Sequence, residues 1–279
     1  MIIADPAKPK TAEEYRAFGR FVEGLGGLYV TAEDVGTSVS DIDVVRSVTR
    51  WALCSSAAAG GSGDSSQSTA YGVLMAMRAC LEAAFGDGSF AGKRVAIQGV
   101  GNVGIEVARY LAREGAQLRV SDINGAAAER ARTECGAEVV PAEGIFDIAC
   151  DVFAPCALGG AINTDTVPRL RCRVICGAAN NQIADPAAVQ AVQARGILYG
   201  PDFVADAGGV TQGVDELQGY NADRAWQRVA AIYDNMKRIL SIARSENIFT
   251  GAAAERLAMR RIEAARLRRR EPPQDAGVT

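Results

Sequence analysis

The run GKRVAIQGVGNVG, from Gly92 to Gly104, restricts this chain more than any other stretch. A short apolar strand, Arg94 to Gln98, leads into G-x-G-x-x-G, and the last glycine opens a helix. The next strand, Ala116 to Ser121, ends at an acid, Asp122. Strand, glycine turn, helix and acid in this order predict a dinucleotide-binding unit. Gly99 permits the tight turn, Gly101 lets backbone approach a pyrophosphate, and Gly104 lets helix and strand pack closely. The helix N-terminus offers free N–H groups and positive dipole charge to phosphates. The competing reading is a glycine turn that holds no ligand.

Composition narrows the remaining classes. The chain has 279 residues, 48% apolar content and a net charge of −3. That is one large or two modest domains with ample core, and no basic field to attract nucleic acid or an anionic membrane. No apolar run reaches the roughly 20 residues that span a bilayer, and MIIADPAKPK does not resemble a signal peptide. A cytoplasmic protein is the expectation. Histidine is absent, so no imidazole base or histidine zinc site exists, and any general acid or base is Asp, Glu, Lys, Tyr or Cys. Seven scattered cysteines without C-x-x-C read as small buried hydrophobes rather than a disulfide framework, with Cys156 a candidate to line a site. No metal site is expected.

Residues 12 to 24 read as an amphipathic helix with Tyr15, Phe18, Phe21 and Val22 on one face. Leu28 to Thr31 reads as a strand, Ala32 to Ser38 as the loop after it, and Ser40 as the start of a short helix. Residues 55 to 68 (SSAAAGGSGDSSQS) read as a flexible loop or hinge. A long helix runs from about Thr69 to Phe85. Strands and helices then alternate regularly, which implies a parallel, doubly wound sheet with its ligand at the carboxyl ends of the strands. Residues from Asn221 to about Arg270 are helical in pattern, and the last nine read as a disordered tail.

The blocks YVTAEDVG, KRVAIQGVGNVG, LRVSDIN, DVFAPCALGG, GAANNQI and PDFVADAGGV resemble the glutamate/leucine/phenylalanine/valine dehydrogenases, most of all the leucine and valine branch. The resemblance runs from about Ile2 to Leu267. It implies an α/β fold: a doubly wound Rossmann-type NAD domain plus a truncated α/β substrate domain completed by C-terminal helices. The expected division is residues 1–68 as a remnant of the substrate and oligomerisation domain, 69–210 as the dinucleotide domain, 211–270 as helices packing back on the first domain, and 271–279 as tail. The implied activity is NAD-dependent oxidative deamination of an aliphatic L-amino acid, by a chain that associates with its own copies.

Residue by residue, Gly99, Gly101, Asn102, Val103 and Gly104 match the pyrophosphate loop, and Asp122 the ribose acid. An acid there, with no arginine in Ile123-Asn124-Gly125, favours NAD over NADP. Thr69 matches the residue that meets the nicotinamide amide. Ala154, Cys156 and Ala157 match the segment beside the nicotinamide ribose, and Asn180 and Asn181 the asparagines near nicotinamide and substrate. Asp34 matches the catalytic aspartate that exchanges a proton with the substrate amine. Alone, Asn180-Asn181 reads equally as a turn and Asp34 as a cap.

The chain also departs from the family pattern. Two lysines are expected, one for the substrate carboxylate and one to activate water. Lys8, Lys10, Lys93 and Lys237, the four present, match neither. The expectation is that the chain as written lacks the segment carrying them, through a misassigned start, a split enzyme with that segment on a separate chain, or a true truncation. Leu53-Cys54 replaces Thr-Gly, Ser65 replaces the proline of S-G-N-P, Asp206 replaces the asparagine of N-A-G-G, and Thr211-Gln212-Gly213 replaces an Asn-Val type sequence. The alternatives are an inactive NAD-binding protein and an imine reductase.

Overall fold

Val95, Ala96 and Ile97 are all buried, which marks a strand covered on both faces. The computed structural model, which describes residues 10–34 and 36–270, places that strand, β3 (Arg94–Gln98), in the middle of a six-stranded parallel sheet. Its partners are β4 (Gln117–Ser121), β5 (Glu138–Val139), β6 (Val152–Pro155), β7 (Val174–Ile175) and β8 (Leu198–Tyr199), in the order β5-β4-β3-β6-β7-β8. The chain runs outward from β3 to β5, then returns to the other side of β3 for β6. The switch point therefore lies between β3 and β6, where Ile97 pairs with Ala154 and Gln98 with Pro155.

Side-chain alternation along the strands builds two cores. Val95, Ile97, Val152, Ala154 and Val174 face one side, where α3 (Ser66–Phe85), α4 (Asn102–Arg113) and α10 (Ile232–Glu246) cover them. Ala96, Phe153, Ile175 and Tyr199 face the other, against Phe146, Leu170 and Val192 of α6 (Pro186–Ala194). The helix α5 (Gly125–Cys135) connects β4 to β5, capped by the Asn124 side chain at one end and by Gly136 in the left-handed region at the other.

A smaller unit precedes this sheet. Its helices α1 (Ala12–Gly24) and α2 (Val39–Arg46) each begin at a capping box, Thr11 with Glu14 and Ser38 with Asp41. They pack on a two-stranded parallel sheet of β1 (Thr31–Ala32) and β2 (Ala52–Leu53), around Tyr15, Ile42, Val45 and Ala52. Two expectations differ here. The strand starts at Thr31, not Leu28, and Leu28 is 94% exposed. Gly26 and Gly27 carry positive φ, and Leu28 N–H donates to the Leu25 carbonyl, so the chain is still turning there. Phe21 is also exposed. The buried stripe of α1 is Tyr15, Gly19 and Val22. Gly19 sets it, because a β-carbon there would lie 2.8 Å from the Val45 carbonyl oxygen of α2.

The remaining helices are α7 (Asp202–Ala205), α8 (Gly208–Asp215), α9 (Ala222–Ala230) and α11 (Thr250–Arg270). Helix α10 lies along α3. The segment around 212–216 meets the small unit: Glu216 accepts hydrogen bonds from Cys54 N–H (2.9 Å), Ser62 N–H (2.8 Å) and the Ser62 hydroxyl (2.5 Å). All seven cysteines are free. Among the described residues no helix is long and apolar enough to cross a membrane, and no His/Cys/Asp/Glu group has metal-binding geometry. The expected tail, 271–279, and Lys8 lie outside the described residues.

Candidate functional site

The carboxyl end of β3 turns through Gly99, at φ +88°, into α4. The three motif glycines face different surroundings. A β-carbon on Gly99 would lie 2.8 Å from Ala157, and one on Gly104 would lie 2.1 Å from the Gly99 carbonyl oxygen. Those two are closed off by protein. A β-carbon on Gly101 would meet nothing within 4 Å. Gly101 is the N-cap of α4, and no side chain caps that helix, so its first N–H groups and dipole face open space beside Gly101, Asn102 and Val103. This is the cradle an anionic phosphate fits.

Asp122 stands at the end of β4 beside this turn. One carboxylate oxygen accepts Val100 N–H at 2.8 Å and the other accepts Asn124 N–H at 2.8 Å. The two bonds fix the carboxylate and leave further lone pairs for ribose hydroxyls. Arg130 of α5 donates to the Val100 carbonyl at 3.2 Å. No arginine lies in 123–125, and Arg130 enters from within α5.

On the β6 side, Ala154 lies in the buried strand, which ends at Pro155, and Cys156-Ala157 follow it against the glycine turn, with Cys156 Cβ 3.3 Å from where a Gly104 β-carbon would sit. Burial pushes the Cys156 thiol up to about 12, so Cys156 shapes a wall and supplies no thiolate at neutral pH. Beyond it, Gly160 N–H donates to the Asn181 carbonyl at 2.8 Å. A β-carbon on Gly159 would lie 2.7 Å from the Asn180 carbonyl oxygen, and Asn181 takes φ +51°. The turn reading of Asn180-Asn181 and the site reading are thus compatible.

Gln182 extends the ring of loops. It is fully buried, its N–H donates to Asp202 at 2.9 Å and its side-chain amide donates to the Gly177 carbonyl at 2.9 Å. Asp202 opens α7, which ends at Asp206. Gly208 and Gly209 then press on the head of α3: β-carbons there would lie 2.0 Å from the Ser68 carbonyl oxygen and 2.6 Å from the Thr69 hydroxyl. Thr69 is thereby set next to the D-A-G-G loop. Helix α3 starts at Ser66, three residues ahead of the expected Thr69, because Asp64 accepts Ser66 N–H at 2.8 Å.

Asp34 lies in the loop that follows β1. Burial and then the charges of Asp64 and Asp41 raise the Glu33 carboxyl above its usual range. Asp34 itself is exposed, and Thr37 bonds its backbone: Asp34 N–H donates to the Thr37 hydroxyl at 2.9 Å, and that hydroxyl donates to the Asp34 carbonyl at 2.7 Å. Lys10 reaches this loop, donating to the Gly36 carbonyl at 3.3 Å. Lys93 lies over Phe85 and Lys237 pairs with Glu82, both away from the glycine turn. Gln182 and Glu216 were not singled out from the sequence. Only the burial of a glutamine between two site loops reveals the first, and no local pattern marks the second.

A doubly wound sheet with an uncapped, glycine-lined helix N-terminus at its switch point, and a fixed carboxylate on the neighbouring strand, is the architecture of a dinucleotide-binding unit. The chain belongs to the glutamate/leucine/phenylalanine/valine dehydrogenase family, whose model matches residues 60–131 and 125–269. It is 48% identical over 266 residues to the leucine dehydrogenase of Thermoactinomyces intermedius, covering 95% of this chain and 73% of that protein. To the valine dehydrogenase of Streptomyces albus it is 45% identical over 273 residues, covering 96% of this chain and 75% of that one. The crystal structure of L-tryptophan dehydrogenase from Nostoc punctiforme superposes with a TM-score of 0.79 at 36% identity, over 92% of this chain and 74% of that chain. A glutamate dehydrogenase of Thermus thermophilus, at 22% identity and TM-score 0.75, shares the fold.

Proposed function

We propose that this chain carries out NAD-dependent oxidative deamination of an aliphatic L-amino acid to a 2-oxo acid and ammonia. The observation that carries the reading is the packing of loops at the carboxyl edge of the sheet: the glycine turn closes on Cys156-Ala157, Gly159-Gly160 on Asn180-Asn181, and Gly208-Gly209 on the head of α3. The relatives named leucine and valine dehydrogenase support an aliphatic substrate.

Gly101, Asn102 and Val103 bind the pyrophosphate through backbone N–H groups. Asp122 takes the adenosine ribose hydroxyls and repels a 2′-phosphate, which favours NAD. Thr69, Asn180, Asn181 and the Ala154–Ala157 segment hold the nicotinamide end. When bound, oxidised nicotinamide supplies the hydride acceptor. Asp34 takes and returns the amine proton, which an exposed carboxylate in the cleft does without a histidine. The functional division is a dinucleotide unit over 69–210, a substrate unit over 1–68 and helices over 211–270. Exposed Phe21, Leu28 and Tyr29 on the small unit support association with further copies, because exposed large apolar side chains favour burial at an interface.

The test is NADH formation by protein purified from its native host, offered a panel of L- and D-amino acids with NAD or NADP. The expected result is turnover with L-leucine- or L-valine-like substrates and NAD. Cofactor binding without turnover on any amino acid would instead identify a binding protein.

A further inference from the structure

The loop that joins the two units is fastened where its composition predicts freedom. Residues 55 to 68 are small and polar, yet one side chain bonds both ends of the segment 54–62. The Oε1 atom of Glu216, the residue after α8, accepts Cys54 N–H at 2.9 Å, Ser62 N–H at 2.8 Å and the Ser62 hydroxyl at 2.5 Å. The Glu216 side chain is 2% exposed, and its Oε2 lies 3.7 Å from Nη1 of Arg46. Arg46, at the end of α2, also donates to the Ala52 carbonyl at 2.7 Å and to the Ala59 carbonyl at 3.2 Å. Gln212 of α8 donates to the Ser62 carbonyl at 3.1 Å. A carboxylate taken out of water needs donors in place of the water it lost, and bonds to a charged acceptor are the stronger kind.

Cys54 shows how firmly the loop is held. It takes φ +63°, in the left-handed region, without being glycine. It is buried against α8, where a β-carbon on Gly213 would lie 3.1 Å from its sulphur. A side-chain-bearing residue persists in that conformation only when its surroundings over-determine it, and such residues gather at active sites, ligand clamps and switch regions. The bond to Glu216 and the packing on α8 are those surroundings.

A continuous run of contacts leads from Glu216 in two directions. Cys54 follows β2, Leu53 of β2 pairs with Ala32 of β1, and Asp34 stands in the loop directly after β1. In the other direction, α8 begins at Gly208 and Gly209, which press on Ser68 and Thr69 at the head of α3. We propose that Glu216 is a positioning residue: its buried carboxylate fixes the strand pair that carries Asp34 relative to the helix head that carries Thr69, and touches neither substrate nor cofactor. This role rests on Asp34 and Thr69 acting as in the proposed function. Hydride transfer needs the reacting atoms in near contact, and a displacement of about 1 Å caused far from the chemistry costs about a hundredfold in rate. The phosphate cradle and the Asp122 carboxylate are built within residues 99–124, so cofactor binding is independent of this joint.

The experiment compares wild type, Glu216→Gln and Glu216→Ala, each purified from the native host. Three quantities are read: turnover of L-leucine with NAD, the NADH dissociation constant by fluorescence, and the rate at which iodoacetamide alkylates Cys54, followed on its peptide by mass spectrometry. In Glu216→Ala, kcat is expected to fall about a hundredfold while the NADH dissociation constant stays within about twofold. Cys54 is expected to be alkylated about tenfold faster, as the released loop opens more often. Glu216→Gln keeps an acceptor and loses the charge beside Arg46, so it falls between the two in kcat and in alkylation. Wild-type kcat and alkylation in Glu216→Ala would overturn the inference. So would a loss of NADH binding in step with kcat, which marks general damage to the fold. Should Glu216→Ala fail to fold, Glu216→Gln carries the test: lowered kcat at unchanged NADH affinity supports the role, and wild-type kcat overturns it. A wild type that binds NADH and turns over no L-amino acid would overturn the proposed function itself, and the positioning role with it.

Discussion

Gly101 and Gly104 sit three residues apart and are glycine for opposite reasons. Gly104 is sealed against the Gly99 carbonyl, and Gly101 opens on empty space. Gly104→Ala forces the helix off the strand and is expected to lower stability by about 2 kcal/mol or more, as overpacking does. Gly101→Ala is expected to leave stability within about 0.5 kcal/mol of the parent and to weaken NADH binding about tenfold, because the new methyl stands where phosphate approaches. Urea denaturation and NADH fluorescence titration check the pair. A stable Gly101→Ala that binds NADH normally would remove the phosphate from this helix end. Asp122→Ala is expected to cost about 1.5–3 kcal/mol of NADH binding, the worth of charged hydrogen bonds. It should also narrow the gap between NADH and NADPH, since the repelling acid is gone and Arg130 is 3.2 Å from the Val100 carbonyl. Parallel titration of both cofactors reads the change.

At the scale of elements, the corner between α8 and α9 is held by one buried acid. Asp215 takes two bonds from Arg224 (2.6 and 2.7 Å), one from Arg228 (3.0 Å) and one from Asn221 N–H (2.8 Å). The Arg224 guanidinium, first of several causes, holds its carboxyl below the usual carboxylate range. A folded-state pKa below the unfolded one stabilises at pH above the unfolded value and is lost as pH falls through the folded one. Asp215→Asn should therefore be less stable than the parent at neutral pH, and the gap should close as both are taken below about pH 3. Urea midpoints across pH check this, and a gap independent of pH would contradict it. The sheet elements were legible because buried parallel strands read as short apolar runs: β3 is Arg94–Gln98 as the sequence predicts, and β4 is Gln117–Ser121, within one residue of the expected Ala116–Ser121. Helix α4 begins at Asn102, ahead of the last motif glycine. The small unit was less legible. Leu28 looks like a strand by composition, but two positive-φ glycines ahead of it keep the chain turning, and Phe21 fits a helix face that Gly19 in fact rotates away.

Over the whole molecule, the cleft is assembled from segments that no local pattern joins. The glycine loop and Asp122 announce themselves, since both lie within one strand–helix–strand unit. Thr69 meets the 206–209 loop only because two glycines let backbone touch backbone. Glu216 clasps residues 54 and 62 to the C-terminal helices across more than 150 positions of chain. Asp206 was legible as a substitution, but its near-neutral pKa depends on burial and on Asp202, which only the folded chain supplies. Oxidative deamination requires a hydride to pass from the α-carbon of the amino acid to nicotinamide. L-leucine deuterated at the α-carbon, incubated with NAD and the protein from its native host, with the cofactor then recovered for mass spectrometry, reads that transfer. The expected product is reduced cofactor one mass unit heavier, with the deuterium on the nicotinamide ring. Unlabelled NADH, or bound cofactor that stays oxidised with every L-amino acid tried, would contradict it.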